Sequence, residues 1–183
     1  MLLHVPSASA GLAIFDPPVT VVPLGYPEVS IDIALQNKQL PNFDSVDAII
    51  LSDVPFTFDY SRQFRAAAGG FIQDPPVVIN PGDLGLMDYS AAVYAAGATL
   101  GYPFGYSFWF PILLGTVTID TAALAPGKYE VLISSELDGG VSALWRQGLT
   151  EPLEGRGVII IPEPGCALLL LGGAIIILRR RAS

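Results

Sequence analysis

The residue types that build most catalytic sites are nearly absent from this chain of 183 residues, which has one histidine, His4, and one cysteine, Cys166. A Ser-His-Asp triad, a Cys-His pair and a Cys/His zinc site each need histidines or thiolates gathered at one place. These chemistries are therefore excluded for the body of the chain beyond His4. No phosphate-binding or dinucleotide-binding glycine motif is present. The sequence predicts a protein that is not an enzyme.

Carboxylates are the only chemically useful groups in abundance, with 17 Asp and Glu residues. Asp44, Asp47 and Asp53 lie in one short stretch, and Ca²⁺ prefers clustered carboxylate oxygens. The competing interpretation is that these side chains cap turns and strand ends. We expect no cofactor and no metal, with calcium at these three positions as an open alternative. A hydrolase with paired carboxylates is a more distant one, because no spacing singles out a pair.

An aromatic cluster contains Tyr102, Tyr106, Phe108 and Trp109. Exposed rings stack on sugar faces, so the cluster is a candidate glycan-binding site. Its rings can instead alternate between the core and an edge of the fold. A secreted carbohydrate-binding module is therefore the alternative function. Trp145 is open to two interpretations, a partner-binding patch or a loop anchor.

The C-terminal segment has three parts, which are Pro162-Glu163-Pro164, an uncharged run over 165–178, and Arg179, Arg180 and Arg181 before the last two residues. As a helix, the uncharged run would span about 21 Å at ~1.5 Å per residue, which is short for a bilayer core of about 30 Å. The arginines indicate a membrane segment, because basic residues remain on the cytoplasmic side. The body of the chain would then lie outside.

This tripartite tail resembles the PEP-CTERM sorting signal. The resemblance covers about the last 22 residues. It implies that Pro162, Glu163 and Pro164 are recognised by an exosortase, an integral-membrane transpeptidase. It also implies an inner-membrane-anchored precursor, then a cell-surface or extracellular-matrix location with association to exopolysaccharide. Cys166 is either a small apolar residue of the segment or an acylation site.

The N-terminal stretch 1–10 resembles only the end of a signal peptide. It carries no Lys or Arg, yet Ala8-Ser9-Ala10 matches the small-x-small cleavage pattern. We expect residues 1–10 to be the remnant of a signal peptide whose start lies upstream. An upstream reading frame that encodes basic residues and a leucine run is the corresponding prediction.

The body of the chain, residues 11–161, is acidic and rich in turn-forming residues. The net charge is −8, and the tail carries three of the nine basic residues. Such a surface repels phosphate, so no nucleic-acid partner is expected. Nineteen glycines and sixteen prolines interrupt the sequence too often for long helices.

Short apolar runs separated by turns predict about eight strands. Val29–Leu35 alternates strictly, which is typical of a strand with one buried face. We expect a helix at Tyr89–Ala96, a strand or helical turn at Gln63–Ala68, and a hairpin that joins Thr116–Asp120 to Tyr129–Ile133. The remaining strand predictions are Gly11–Phe15, Val19–Val22, Val46–Leu51 and Gly157–Ile161. An all-β, antiparallel two-sheet sandwich follows, with a short C-terminal hydrophobic helix after it.

The pattern over Leu113–Asp120 and Leu124–Val131 is similar to the last strands of cohesin-like sandwich domains. The early runs Val29–Leu35 and Val46–Leu51 are similar to their opening strands. The resemblance implies a cohesin-like body at 11–161 between the N-terminal remnant 1–10 and the sorting tail 162–183. Domains of this kind occur in bacterial exported proteins, often beside such a sorting tail. Together with the tail, this leads us to expect an exported, non-enzymatic surface or extracellular-matrix protein.

Overall fold

The computed structural model describes residues 11–36, 45–60, 71–99, 112–146 and 148–163. Within these ranges the secondary structure is almost entirely β, with one short 3₁₀ turn at Pro81–Leu84. The described strands are β1 (Gly11–Asp16), β2 (Val19–Val21), β3 (Glu28–Gln36), β4 (Ser45–Ser52), β5 (Thr57–Asp59), β6 (Phe71–Gln73), β7 (Val77–Ile79), β8 (Ala91–Thr99), β9 (Ile112–Asp120), β10 (Gly127–Ser134), β11 (Ala143–Arg146) and β12 (Leu149–Ile161).

The strands form a sandwich of two layers joined along one side. Hydrogen-bonded neighbours follow the order β5-β9-β3-β1-β12-β10-β4-β8-β6, with β2, β7 and β11 paired beside this path. The chain folds over at the β1–β12 junction, so β5, β9, β3 and β1 face the layer of β12, β10, β4 and β8. Most pairs are antiparallel, as expected, but β12 pairs in parallel with β1 and with β2.

One core lies between the layers and is built from alternate residues of each strand. On β3, Val29, Ile31, Ile33 and Leu35 are all buried, which confirms the one-faced strand predicted from the alternation. They pack in one cluster with inward residues of β4, β8, β9, β10 and β12. Burial of this apolar area is the main term that stabilises the fold.

Two glycines of β12 make room for the first strand to change layers. An ideal Cβ on Gly155 would lie 1.9 Å from the carbonyl oxygen of Ala13. One on Gly157 would lie 2.9 Å from the ring of Phe15. Beyond this crossing the chain continues as β2 and pairs with the other end of β12. Glycine is therefore required at position 155 by the close approach of two backbones, and at position 157 by the contact with the Phe15 side chain.

Two of the predicted elements are wrong. The expected helix at Tyr89–Ala96 is β8, which pairs with β4 on one edge and with β6 and β7 on the other. The expected hairpin is a connection between layers, because β9 pairs with β3 and β5, whereas β10 pairs with β12 and β4. In both cases long-range pairing overrides the local signal. The strand count of about eight is also too low for the described ranges.

Several predictions fall outside the described residues. These are the N-terminal remnant 1–10, the strand or turn at Gln63–Ala68, and the hydrophobic helix over 165–178. Within the part of the chain that the structure describes, no helix is long and apolar enough to cross a membrane.

Candidate functional site

The outer face of the β10–β4–β8 layer carries a second, smaller apolar cluster. Ile49, Leu51, Ala92 and Leu132 point away from the core and are nevertheless buried. Their cover is built from partly buried side chains, namely Ile79, Leu86, Tyr89 and Tyr94. This layer is therefore apolar on both faces, which explains the nearly continuous burial along β4.

The covering segment between β7 and β8 is fixed by local hydrogen bonds. The Asn80 side chain accepts from the backbone N–H of Gly82 at 3.1 Å and caps the 3₁₀ turn. Gly85 ends the turn with φ of 74°, a left-handed conformation that glycine adopts without strain. The Ser90 N–H then donates to the carbonyl of Ser52 at 2.9 Å and returns the chain to the sheet edge.

A groove of about 550 Å³ lies beside this cover, on the outer face of β10 and β12. Its apolar surface comes from Leu12, Leu132 and Leu137. Three carboxylates and one guanidinium complete its walls; they belong to Glu130, Glu136, Glu154 and Arg156. We refer to it as the acidic groove.

The charges of the acidic groove do not cancel. Glu130 pairs with Lys128 and, at 3.6 Å between Nε and Oε2, with Arg156. Glu154 accepts from the backbone N–H of Glu136 at 3.3 Å, a contact that brings no cation to either carboxylate. The side chains of Lys128 and Arg156 are 56% and 61% exposed, so these ion pairs are worth ~1 kcal/mol at most. The groove therefore presents an excess of negative charge around an apolar floor.

Tyr89 supplies a neutral hydroxyl to the same groove. Burial raises the pKa of Tyr89 above its ordinary value, and the carboxylates of Asp53 and Glu130 raise it further, while Arg156 opposes them. A phenol that stays protonated can donate a hydrogen bond to a bound partner. Asp53 also fixes β10 from the side, since its Oδ2 accepts from the Glu130 N–H at 2.8 Å.

The carboxylates predicted as a calcium alternative do not form a cluster in the described part of the chain. Asp47 accepts a short hydrogen bond from the Tyr94 hydroxyl, and Asp53 accepts one from the Glu130 N–H in β10. Asp138 accepts from three consecutive backbone N–H groups at 2.9–3.1 Å and closes the turn before β11. Asp44 lies outside the described ranges. Among the described residues, no three His, Cys, Asp or Glu side chains are placed to hold a metal ion.

The tail is described only at its beginning. Pro162 is partly buried and Glu163 is exposed directly after β12. Pro164, Arg179, Arg180 and Arg181 lie outside the described residues.

The aromatic candidates Tyr102, Tyr106, Phe108 and Trp109 also lie outside them, so the glycan-binding alternative stays a prediction. Trp145 is partly buried, and its Nε1 has no hydrogen-bond acceptor within the described ranges.

Comparison with known proteins identifies the fold. No protein-family model and no curated protein matches this chain. A cohesin module of Acetivibrio cellulolyticus, solved with a dockerin, is similar over 84% of this chain and 98% of its own, at 10% identity and a TM-score of 0.50. A non-cellulosomal cohesin of the archaeon Archaeoglobus fulgidus covers 86% and 94%, at 10% identity and a TM-score of 0.50. The chain therefore has a cohesin-like β-sandwich fold, as its sequence resemblance implied.

Proposed function

We propose that this chain is an exported, non-enzymatic protein whose cohesin-like body binds a second protein. The fold supports a binding role in general terms, because the Acetivibrio module is in complex with a dockerin protein. At 10% identity only that class of activity is extended to this chain, since function depends on sites and not on folds.

The acidic groove is the observation that carries the proposal. An apolar floor within a charged rim is the usual composition of a protein interface. The rim carboxylates of Glu130, Glu136 and Glu154 favour a partner with apolar side chains flanked by Lys or Arg. Complementary charge of this kind raises association rates and selects partners. The Tyr89 hydroxyl adds a directional hydrogen bond at one end.

A photo-crosslinker placed in the groove tests the proposal in the native host. Leu137 lines the groove and is 42% exposed, so a benzoylphenylalanine at this position would contact a bound partner. Leu149 is 61% exposed at the start of β12 and provides a control outside the groove lining. We expect a specific protein adduct from position 137 and none from 149. Equal adducts from both, or no adduct, would overturn the assignment of the groove.

Charge reversal then tests the partner's chemistry with purified proteins. Glu154→Lys should weaken binding of the crosslinked partner by about tenfold or more at low salt, because it reverses a rim charge. Asp74→Lys makes the same change in net charge at an exposed position between β6 and β7, outside the lining of the groove, and should change binding less than twofold. If both variants bind equally, the negative rim does not select the partner.

Export and sorting by the tail complete the proposal. The exposure of Glu163 immediately after the last strand supports access of an exosortase-type transpeptidase to this position. The uncharged segment and the three arginines would hold the precursor in the inner membrane. The body would then remain at the cell surface or in the extracellular matrix with exopolysaccharide.

Intact mass of the protein from its native host tests the sorting step. A mass that ends near Pro162–Pro164, in material outside the inner membrane, supports processing. A mass that retains Arg179–Arg181 in the membrane fraction contradicts it and indicates a permanent anchor. Either outcome leaves the groove experiment interpretable, because the two tests concern different parts of the chain.

A further inference from the structure

The strand β2 is an edge strand with one side open. Among the described strands it pairs only with β12, in parallel, at Val158–Ile160. The carbonyl of Pro18 accepts from the Val158 N–H at 2.9 Å, and the Val22 N–H donates to the carbonyl of Ile160 at 3.0 Å. Because backbone groups alternate along a strand, those of Thr20 also face β12, and those of Val19 and Val21 point to the opposite side.

No described strand pairs with that opposite side. The neighbouring strand β3 pairs with β1 only as far as Asp32, opposite Asp16. Beyond this point β3 continues in one layer while β2 joins the other. The space between them is a groove of about 380 Å³, lined by Thr20, Val22 and Val29 among others. We call it the β2 groove.

The side chains around this edge are apolar and exposed. Val19 and Val21 are 52% and 63% exposed, and the following turn leaves Leu24 and Tyr26 nearly half exposed. Residues 17–27 contain no charged side chain in a protein with a net charge of −8. Native edge strands are ordinarily protected by charged side chains or by proline, and β2 has neither between Pro18 and Pro23. Glu28, at the start of β3, is the one charged residue among the described residues that line the β2 groove.

A buried hydroxyl gives an independent indication of a missing neighbour. Thr20 Oγ1 is inaccessible to solvent and has no hydrogen-bond partner among the described residues. The same side chain lines the β2 groove. A buried polar atom without a partner costs free energy. Rotation of the Thr20 side chain towards the groove would let an occupant supply the missing hydrogen bond and remove that cost.

We propose that the β2 groove binds an extended, uncharged peptide segment of a partner protein, which adds as a strand to the open edge of β2. The backbone groups of Val19 and Val21 would supply the ladder, and the side chains of Val19 and Val21 would select β-branched residues. This surface is distinct from the acidic groove and does not depend on it.

The exposed area favours a peptide over a second copy of this chain. Even large side chains offer about 150–250 Å² each, so four half-exposed ones provide roughly 500 Å² at most. A stable interface between two folded bodies buries about 800 Å² on each side. A short strand can instead bind by its backbone hydrogen bonds with a small contact area.

Amide exchange of the full-length chain in mild detergent tests this proposal. The probe is a capped peptide of alternating Val and Thr, and the control is the same peptide with alternate amides N-methylated. We expect the probe to slow exchange at Val19 and Val21 and the control to have no effect. No binding, or slowed exchange confined to other strands, would overturn the proposal. Concentration-dependent slowing without peptide would also overturn it, because a second copy would be the occupant.

Two substitutions at Val21 test the open edge of β2 without changing the rest of the fold. Val21→Pro removes an N–H that faces away from β12, a position where an edge strand tolerates proline. It should weaken probe binding about fivefold or more and leave far-UV circular dichroism unchanged. Val21→Lys should weaken binding similarly, whereas Leu149→Lys, at another exposed position, should not. Unchanged affinity in both Val21 variants would contradict the assignment.

Discussion

The crossing of β1 over β12 predicts a large cost for the smallest substitution at Gly155. An alanine Cβ would lie 1.9 Å from the Ala13 carbonyl oxygen and 2.7 Å from the Ala13 Cβ, whereas ordinary contacts begin near 3.4 Å. The two strands would have to separate by about 1.5 Å. The obstacle is backbone that pairs with β3 on its other side, so it cannot rotate away. Overpacking of this kind costs about 3 kcal/mol.

Urea unfolding of the full-length chain, followed by tryptophan fluorescence, measures this cost. With a slope of about 2 kcal/mol per M, a loss of ~3 kcal/mol moves the midpoint by about 1.5 M. Gly127→Ala in β10 is the matched control, because its Cβ would meet nothing closer than 3.7 Å. We expect that variant to stay within ~0.5 kcal/mol of the native protein. Equal midpoints for the two variants would refute the crossing.

Three further predictions concern stability. The bond to Asp47 raises the pKa of Tyr94 to about 12. Since the unfolded value is about 10, this stabilisation is complete below pH ~10 and is lost as the pH rises through ~12. Tyr94→Phe should lower the free energy of unfolding by about 1–2 kcal/mol at neutral pH. In urea unfolding, it should also make the decrease of that free energy between pH ~10 and ~12 shallower than in the native protein; an equally steep decrease would contradict this. Asp138→Ala should cost ~3 kcal/mol by thermal unfolding, because three N–H groups lose their acceptor, and a cost below ~1 kcal/mol would refute that role. In urea unfolding, Leu51→Ala should lower the free energy of unfolding by about 3 kcal/mol and Val78→Ala should leave it almost unchanged, because Leu51 is buried beneath the cover and Val78 is exposed. Equal losses in the two variants would contradict the burial of Leu51 by the cover.

The strands with strict alternation could be predicted from the sequence. Val29–Leu35 has one apolar face, so the period of two identifies both its structure and its buried side. Val46–Leu51 was also recognisable as a strand, although its residues are apolar without alternation. The reason is visible only in the fold, where Ile49 and Leu51 lie beneath a separate cover.

The two wrong predictions have a common physical cause. The run at Tyr89–Ala96 is rich in alanine, which has a high helix propensity, but β4 and β7 hold it as a strand from both sides. The turn at Ala125–Lys128 has the composition of a hairpin turn, yet it connects strands of opposite layers. Turn residues indicate that the chain reverses direction. They do not indicate which strand the returning segment pairs with.

The acidic groove could not be assembled from the sequence. Glu130 and Glu154 are separated by 24 positions and come together only because β10 and β12 pair in antiparallel register. The available signal was weak. Glu130 stands between apolar residues on a predicted strand, and Arg156 immediately precedes another, a pattern that is compatible with an outer face but does not identify a site. The register that joins them is a tertiary property.

Hydrogen–deuterium exchange of the full-length chain, with and without the partner captured from position Leu137, tests the central claim most directly. The proposed function predicts slower exchange on β10 and over residues 153–156 of β12, with no change on β5 and β9 of the opposite layer. Protection confined to the opposite layer, with β10 unaffected, would contradict the assignment of the acidic groove as the partner-binding surface.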